Sequence, residues 1–240
     1  MTHYFLIPVY NEAANIELLH QNLTNVLEGE QKFYVFVDDC SSDDSIKILR
    51  EKFAGTDFHI IEKEQNLGPG DSFNKGFNWI SENSGNQNNI IITIEADNTS
   101  DLSILPKMIA ISKLDYELVL ASVYSQGGGF EKTNLFRKLI SFAANMAFRL
   151  FFNINVQTLS SFYRVYHLSL IRKIKQHNAY IIREKGFICM LEILIKAIKE
   201  NASIIEVPTV SKSGSRAGKS KMKIFKTTLS YLDFLIFRRG

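Results

Sequence analysis

The chain has 240 residues, of which 45% are hydrophobic, and carries 28 lysines and arginines against 25 aspartates and glutamates. This composition excludes a disordered chain, a collagen and a disulfide-rich scaffold, and the length predicts one large domain that buries about 70% of the unfolded chain's surface. The two cysteines, Cys40 and Cys189, are far apart and lack zinc-site spacing, which indicates reduced thiols and a cytoplasmic protein.

Short apolar runs alternate with helical periods from one end of the chain to the other. Strands are predicted at residues 4–9, 33–37, 58–61, 90–94 and 118–121. Between them, apolar residues recur at three- or four-residue spacing, as in Ile16, Leu19 and Leu23. This alternation predicts an α/β fold with a mostly parallel, Rossmann-like sheet flanked by helices.

Acidic and polar residues follow three of the predicted strands, where ligands of such sheets bind. The segments are Tyr10-Asn11-Glu12, Asp38-Asp39 and Glu95-Ala96-Asp97. Asp38-Asp39 also fits a plain helix-capping role. Two acids that flank one small residue favour a divalent cation bridging Asp97 to a diphosphate.

Two irregular stretches, residues 125–134 and 211–219, are predicted to be mobile substrate loops. The second is not a P-loop, because only three residues separate Gly214 from Gly218 where that motif needs four. It is instead predicted to be a flexible basic loop in which Arg216 and Lys219 donate to phosphate, although a solvated tail fits the segment equally well.

The sequence contains no dinucleotide-binding glycine motif, no metal-site spacing among its histidines and no nucleophile motif, which disfavours a dinucleotide oxidoreductase or a covalent hydrolase. Residues 211–240 carry seven more basic than acidic residues, against a net charge of +3 for the whole chain. Their apolar residues Met222, Phe225, Leu229, Leu232 and Ile236 keep helical spacing. This pattern favours a basic amphipathic helix, on the body or a membrane surface, over nucleic-acid binding.

The predicted organisation is therefore a domain of residues 1–210 with a dependent basic loop and C-terminal helix, residues 211–240. No secretory signal or transmembrane helix is predicted. The longest apolar stretch, residues 139–152, is interrupted by Asn145 and Arg149 and falls short of the roughly 20 residues that span a bilayer.

In this order, the motifs resemble the dolichyl-phosphate mannose synthase-like, or polyprenyl-phosphate, branch of the family 2 inverting glycosyltransferases, which have the GT-A nucleotide-diphospho-sugar transferase fold. The similarity covers nearly the whole chain. The motifs are Pro8-Val9-Tyr10-Asn11-Glu12, Val37-Asp38-Asp39-Cys40-Ser41-Ser42-Asp43, Asn66-Leu67-Gly68-Pro69-Gly70, Glu95-Ala96-Asp97, Gly127-Gly128-Gly129, Arg137-Lys138-Leu139-Ile140-Ser141, Ser160-Ser161-Phe162-Tyr163-Arg164 and Arg216-Ala217-Gly218-Lys219-Ser220-Lys221.

The resemblance implies a role for each matching residue. A nucleotide-sugar site is implied for Pro8, Tyr10, Glu12, Val37, Asp39, Gly68 and Ala96. Asp97, with Glu95, would bind Mg²⁺ or Mn²⁺. Arg137 and Ser141 would receive the acceptor phosphate, while Arg216 and Lys219 close over the donor diphosphate. Two positions depart from the family pattern, which has Asp where this chain has Glu95 and Arg where it has Val123.

The implied reaction is transfer of a hexose from a nucleoside-diphosphate sugar, of the GDP-mannose or UDP-glucose type, to a polyprenyl phosphate. A lipid phosphate is already an anion and needs no general base. The expected location is the cytoplasmic face of the inner membrane, reached through the basic C-terminal helix, with room for a membrane-anchored partner subunit. Two alternatives stay open: a hydroxyl acceptor in cell-surface glycan synthesis, and a nucleotide-sugar-binding protein that has lost catalysis.

Overall fold

The computed structural model describes residues 1–131 and 155–218, together with Met146 and Arg149. The strands of this part are β1 His3–Val9, β2 Lys32–Asp38, β3 Phe58–Glu62, β4 Ile90–Thr93, β5 Leu118–Ser122, β6 Gly129–Phe130, β7 Arg164–His167, β8 Ile204–Pro208 and β9 Val210–Ser211. Its helices are α1 Ala13–Asn25, α2 Ser45–Phe53, α3 Pro69–Asn83, α4 Leu105–Ser112, α5 Leu168–His177 and α6 Cys189–Lys199, with a 3₁₀ turn at Leu102–Ile104.

Seven strands form one sheet in the order β3-β2-β1-β4-β7-β5-β8. The first four are parallel to one another, β7 is antiparallel to both of its neighbours, β4 and β5, and β8 is parallel to β5. The five predicted strands are all confirmed, and so is the α/β fold class.

Alternation along the strands builds two apolar layers, one on each face of the sheet. On β1, Leu6 faces the layer that contains α3, α5 and α6, while Phe5 and Ile7 face the layer that contains α1, α2 and α4. Because side chains point to opposite faces at successive strand positions, strands that are apolar throughout must be covered on both sides. The helices supply that cover and leave the strand ends open.

Strands β7 and β8 are missed by the sequence pattern. Arg164 begins β7 with no exposed surface and donates hydrogen bonds to the carbonyl oxygens of Ser161 (2.8 Å), Leu159 (2.7 Å) and Met190 (2.8 Å). A charged residue in a four-residue strand hides the apolar signal on which strand prediction depends. β8 is a short edge strand that ends in Pro208, a position where proline is tolerated.

The two stretches predicted to be loops contact each other through a small second sheet. Gly129 and Phe130 of β6 pair in parallel with Val210 and Ser211 of β9. Within residues 1–131 and 155–218, no helix is long and apolar enough to cross a bilayer. The predicted C-terminal amphipathic helix lies outside the described residues.

The strand order reverses at β1, because β2 and β3 follow on one side and β4 on the other. In open α/β sheets, ligands bind in the crevice beyond the carboxyl ends of the strands at such a switch point. The predicted acidic segments follow β1, β2 and β4 and therefore lie at this edge.

Candidate active site

The acid pair Glu95 and Asp97 lies just beyond the carboxyl end of β4. The hydroxyl oxygen of Thr99 is 2.6 Å from Asp97 Oδ1 and 3.1 Å from Glu95 Oε2, so that it lies between the two carboxyl groups. The Thr99 backbone N–H also donates to Asp97 Oδ1 (3.1 Å). Asp97 is buried and Glu95 half-buried. The local turn thus brings both carboxyl groups to the same hydroxyl group.

Negative charge accumulates at this turn. Burial and the neighbouring Asp97 carboxylate raise the pKa of Glu95 to about 7, and the charge of Glu12 adds to the increase. Arg216 and the hydrogen bond from Thr99 act in the opposite direction on this pKa. A group of acids that resists full ionisation gains stability when a cation binds among them.

A basic segment lies across the acidic turn. The Arg216 guanidinium donates to Asp97 Oδ2 in an ion pair. The Lys212 backbone N–H donates to the Thr99 carbonyl oxygen (3.0 Å), and the Lys212 ammonium pairs with Asp101 (2.8 Å). Residues 212–218, hereafter the basic loop, therefore contact the acidic turn at several points, and the mobility predicted for this segment stays a prediction.

Asp39 lies at the carboxyl end of β2 and is almost fully hydrogen-bonded within the protein. Its Oδ1 accepts from the Lys63 ammonium (2.6 Å) and the Leu67 N–H (2.9 Å), and its Oδ2 accepts from the Gly68 N–H (2.8 Å). A carboxylate offers about four acceptor positions. About one acceptor position of Asp39 therefore remains, on Oδ2, and it can accept from one N–H or one hydroxyl of a ligand.

Lys63 is the buried counter-ion of two carboxylates, Asp39 and Asp71, with N–O distances of 2.6 and 2.7 Å. Its side chain is 2% exposed. Sequence reasoning missed this residue, since one lysine after a strand resembles an ordinary surface residue. Thr99 and Asn15 were missed as well; in each case the signal is a small polar residue beside a predicted acidic motif.

Gly68 has the backbone geometry that only glycine adopts readily, with φ +91° just before α3. A Cβ atom at this position would lie 2.5 Å from the Lys185 carbonyl oxygen. The loop before α3 therefore packs closely against residues 184–185, which places the Gly68 N–H against Asp39.

The other predicted nucleotide-site residues lie at the same edge of the sheet. Pro8 is half-buried on β1, Tyr10 is 37% exposed beyond its end, and Ala96 is buried. The Val37 side chain is part of the apolar core and has no exposed surface. Val123 follows β5 and is half-buried. Arg137, Ser141 and Lys219 lie outside the described residues, and their roles stay predictions.

The mostly parallel sheet flanked by helices is an α/β fold of the GT-A type. Similar solved structures include glucosyl-3-phosphoglycerate synthase from Mycobacterium tuberculosis in complex with Mn²⁺, UDP and glucosyl-3-phosphoglycerate, at a TM-score of 0.67 and 16% identity over 98% of this chain and 79% of that one. A complex of the same synthase with Mn²⁺ and UDP-glucose has a TM-score of 0.66 at 16% identity, over 98% of this chain and 78% of that one.

Residues 4–175 match the family model for glycosyl transferase family 2, and the chain belongs to that family. It is 30% identical to a dolichol-phosphate mannosyltransferase of Pyrococcus furiosus in an alignment that covers 95% of this chain and 60% of that protein. It is 26% identical to an undecaprenyl-phosphate mannosyltransferase of Micrococcus luteus in an alignment that covers 90% of this chain and 86% of that protein. The chain thus spans 60% of the length of the first relative.

Proposed function

We propose that the protein is a metal-dependent inverting glycosyltransferase that moves a sugar from a nucleoside diphosphate to a polyprenyl phosphate. The observation that carries the proposal is the pair Glu95 and Asp97 facing Arg216 at the switch point of the sheet. Two relatives named for polyprenyl-phosphate mannosyl transfer support the acceptor class, and a mannosyl donor is therefore the first to test.

The side chains of the acidic turn fit Mg²⁺ or Mn²⁺. Glu95, Asp97 and Thr99 offer only oxygen donors, the type that these cations prefer. Within residues 1–131 and 155–218 no group of three or more acids, histidines or cysteines gathers at one point. Mg²⁺ is usually held by one or two carboxylates together with substrate phosphates, and Glu95 and Asp97 are proposed to supply those carboxylates. When bound, the cation would neutralise charge on the departing diphosphate.

The chain's own residues would position the donor and stabilise its leaving group. Asp39, with one open acceptor position, would accept one hydrogen bond from the nucleoside. Arg216 would leave Asp97 and donate to the diphosphate, and a charge-assisted hydrogen bond of this kind is worth about 1.5–3 kcal/mol. Lys219 would add a second cation from the same segment.

The transfer is a single displacement with inversion at the anomeric carbon. A phosphate oxygen of the acceptor forms the new bond to C1, and the bond from C1 to the donor's β-phosphate oxygen breaks, its electron pair leaving on the nucleoside diphosphate. No general base is needed, because the acceptor phosphate is an anion near neutral pH. Arg137 and Ser141 are proposed to bind that phosphate, and the basic residues 211–240 to contact the cytoplasmic face of the membrane, directly or through an anchored partner.

The experiment is transfer of radiolabel from a panel of nucleotide sugars, with Mn²⁺, to polyprenyl phosphate, counted in the organic phase. The matched acceptor is the same polyprenol without its phosphate. Label that depends on the phosphate supports the proposal, with inversion checked by NMR of the product. Label on the free polyprenol would identify a hydroxyl acceptor, and donor binding without transfer or hydrolysis would identify a binding protein; either result would overturn the proposed reaction.

A further inference from the structure

Asn15 lies in the first turn of α1 and is buried although it is polar. Its side-chain amide donates to Glu12 Oε2 (2.5 Å) and to the Ala217 carbonyl oxygen (3.3 Å). Its side-chain oxygen accepts from the Ala217 N–H (2.8 Å). Nothing in the reaction proposed above uses this residue, yet it contacts the basic loop across 202 positions of sequence.

The contact with Ala217 is a two-point contact between an amide side chain and the backbone N–H and carbonyl oxygen of one residue. The Asn15 amide donates to the Ala217 carbonyl oxygen, and the Asn15 side-chain oxygen accepts from the Ala217 N–H. Two hydrogen bonds of opposite direction fix the orientation of the side chain relative to the loop backbone. Only asparagine and glutamine carry a carbonyl oxygen and an amide on one terminal group. Aspartate would keep the acceptor and lose the donor.

Asn15 also holds the opposite side of the site. Its backbone carbonyl oxygen accepts from the Asn98 side-chain amide (2.9 Å), and Asn98 directly follows Asp97 in a left-handed conformation with φ +62°. One residue thus contacts both the turn that carries the acid and the loop that carries the arginine next to Ala217. The Asp97–Arg216 pair joins the same two segments.

We propose that Asn15 is a positioning residue that fastens the basic loop over the acidic turn and so places Arg216 for the donor diphosphate. The kinetic part of this inference rests on the proposed function. In the resulting picture Ala217 is the fixed point of the loop, and the Arg216 side chain moves between Asp97 and the donor while its backbone stays in place. Without the contact between Asn15 and Ala217, Arg216 is still present but is no longer held beside the donor diphosphate.

The first test needs no substrate. Hydrogen exchange of peptides covering residues 212–218 is compared in the wild type, Asn15→Ala and Asn22→Ala. Asn22 is the matched control, because it lies on the same helix and its amide contacts Asn98 (3.2 Å). We expect exchange at Ala217 to rise roughly tenfold in Asn15→Ala, the effect of losing about one net hydrogen bond, and to change little in Asn22→Ala. Equal exchange in all three proteins would overturn the proposal.

A second variant covers the case in which Asn15→Ala fails to fold. Ala217→Pro removes the N–H that donates to Asn15 and leaves α1 intact. We expect it to raise the exchange of the remaining amides of residues 212–218 as Asn15→Ala does. Unchanged protection of the loop in this variant would count against Asn15 as its fastening point.

The third test is a double-mutant cycle on transfer, with Asn15→Ala, Arg216→Met and the combined variant. We expect Asn15→Ala to raise KM for the donor roughly tenfold, with a further change of less than about twofold when Arg216 is already replaced. Fully additive effects would show that Asn15 does not act through Arg216. If no donor supports transfer, the proposed function fails, while the exchange measurements still decide the role of Asn15.

Discussion

Asp97 and Arg216 form an ion pair across 119 positions of sequence, and the paired oxygen, Oδ2, is the one that Thr99 leaves available, since Thr99 contacts Oδ1. A cation ligated through Oδ2 and the Arg216 guanidinium therefore compete for one atom. Arg216, which would stabilise the leaving diphosphate, thus neutralises the Asp97 carboxylate when no donor is present.

Replacing Arg216 should consequently change metal binding and transfer in opposite directions. In Arg216→Met we expect Mn²⁺ binding without nucleotide to strengthen several-fold, because a competing cation is removed, and transfer to fall about 10- to 100-fold, because a charge-assisted contact to the diphosphate is lost. Titration calorimetry and the lipid-extraction assay measure the two effects. Lys212→Met, which leaves the Asp97 carboxylate untouched, is the control, and weaker Mn²⁺ binding in Arg216→Met would contradict competition at Oδ2.

Asp97→Asn should remove transfer while preserving the fold. Asparagine retains an oxygen that accepts from Thr99 but loses the charge that a divalent cation requires. We expect a loss of at least about a hundredfold in kcat, the scale for removing one transition-state electrostatic contact, and little change in melting temperature. Glu82→Gln, on the exposed end of α3, is the charge-matched control. Near-normal turnover of Asp97→Asn would contradict the metal assignment.

Lys63→Met should destabilise the protein strongly. It leaves the Asp39 and Asp71 carboxylates without their buried counter-ion, and breaking such a pair costs about 3–5 kcal/mol. The partly exposed lysine of the Lys175–Glu82 pair gives the control, Lys175→Met, for which about 0–1 kcal/mol is expected. Urea denaturation measures both free energies of unfolding, and similar values for the two variants would refute a structural role for the Lys63 cluster.

His3 should make the protein less stable at mildly acidic pH. Both ring nitrogens are buried without a hydrogen-bond partner in the described part of the chain. Burial lowers the pKa of this histidine below 6.5, assisted by the positive charges of Lys113 and the N-terminus and opposed by Glu30. As pH falls below about 6.5, the unfolded chain takes up a proton that folded His3 resists, so that the free energy of unfolding decreases.

The variant His3→Leu should reduce the dependence of the free energy of unfolding on pH without loss of stability at neutral pH, since it removes two unpaired polar atoms from a buried site. Urea denaturation across about pH 5 to 7.5 measures the difference between variant and wild type. His177→Leu, at the exposed end of α5, is the comparison. If the free energy of unfolding depends on pH equally in the wild type and in His3→Leu, His3 is not the source of that dependence.

Periodicity predicted the parallel half of the sheet because its strands are apolar on both faces and their helices keep regular spacing. It failed at β7, where Arg164 is buried by bonds to carbonyl oxygens that lie near it only in the folded chain. Similarly, the acids at the strand ends were predictable from the rule for ligand sites in parallel sheets. The contacts around those acids were not predictable, because no sequence spacing indicates that Lys63 pairs with Asp39 or that Asn15 contacts Ala217.

The position of β7 has a consequence for synthesis of the chain. Because β7 lies between β4 and β5, β5 joins the rest of the large sheet only after residues 164–167 have left the ribosome. At roughly 5–20 residues per second, the interval after β5 emerges is a few seconds. Throughout that time one edge of β4 and both edges of β5 are unpaired, and such edges are where strands from other chains add. The nascent protein therefore exposes these three strand edges to other chains until its antiparallel strand arrives.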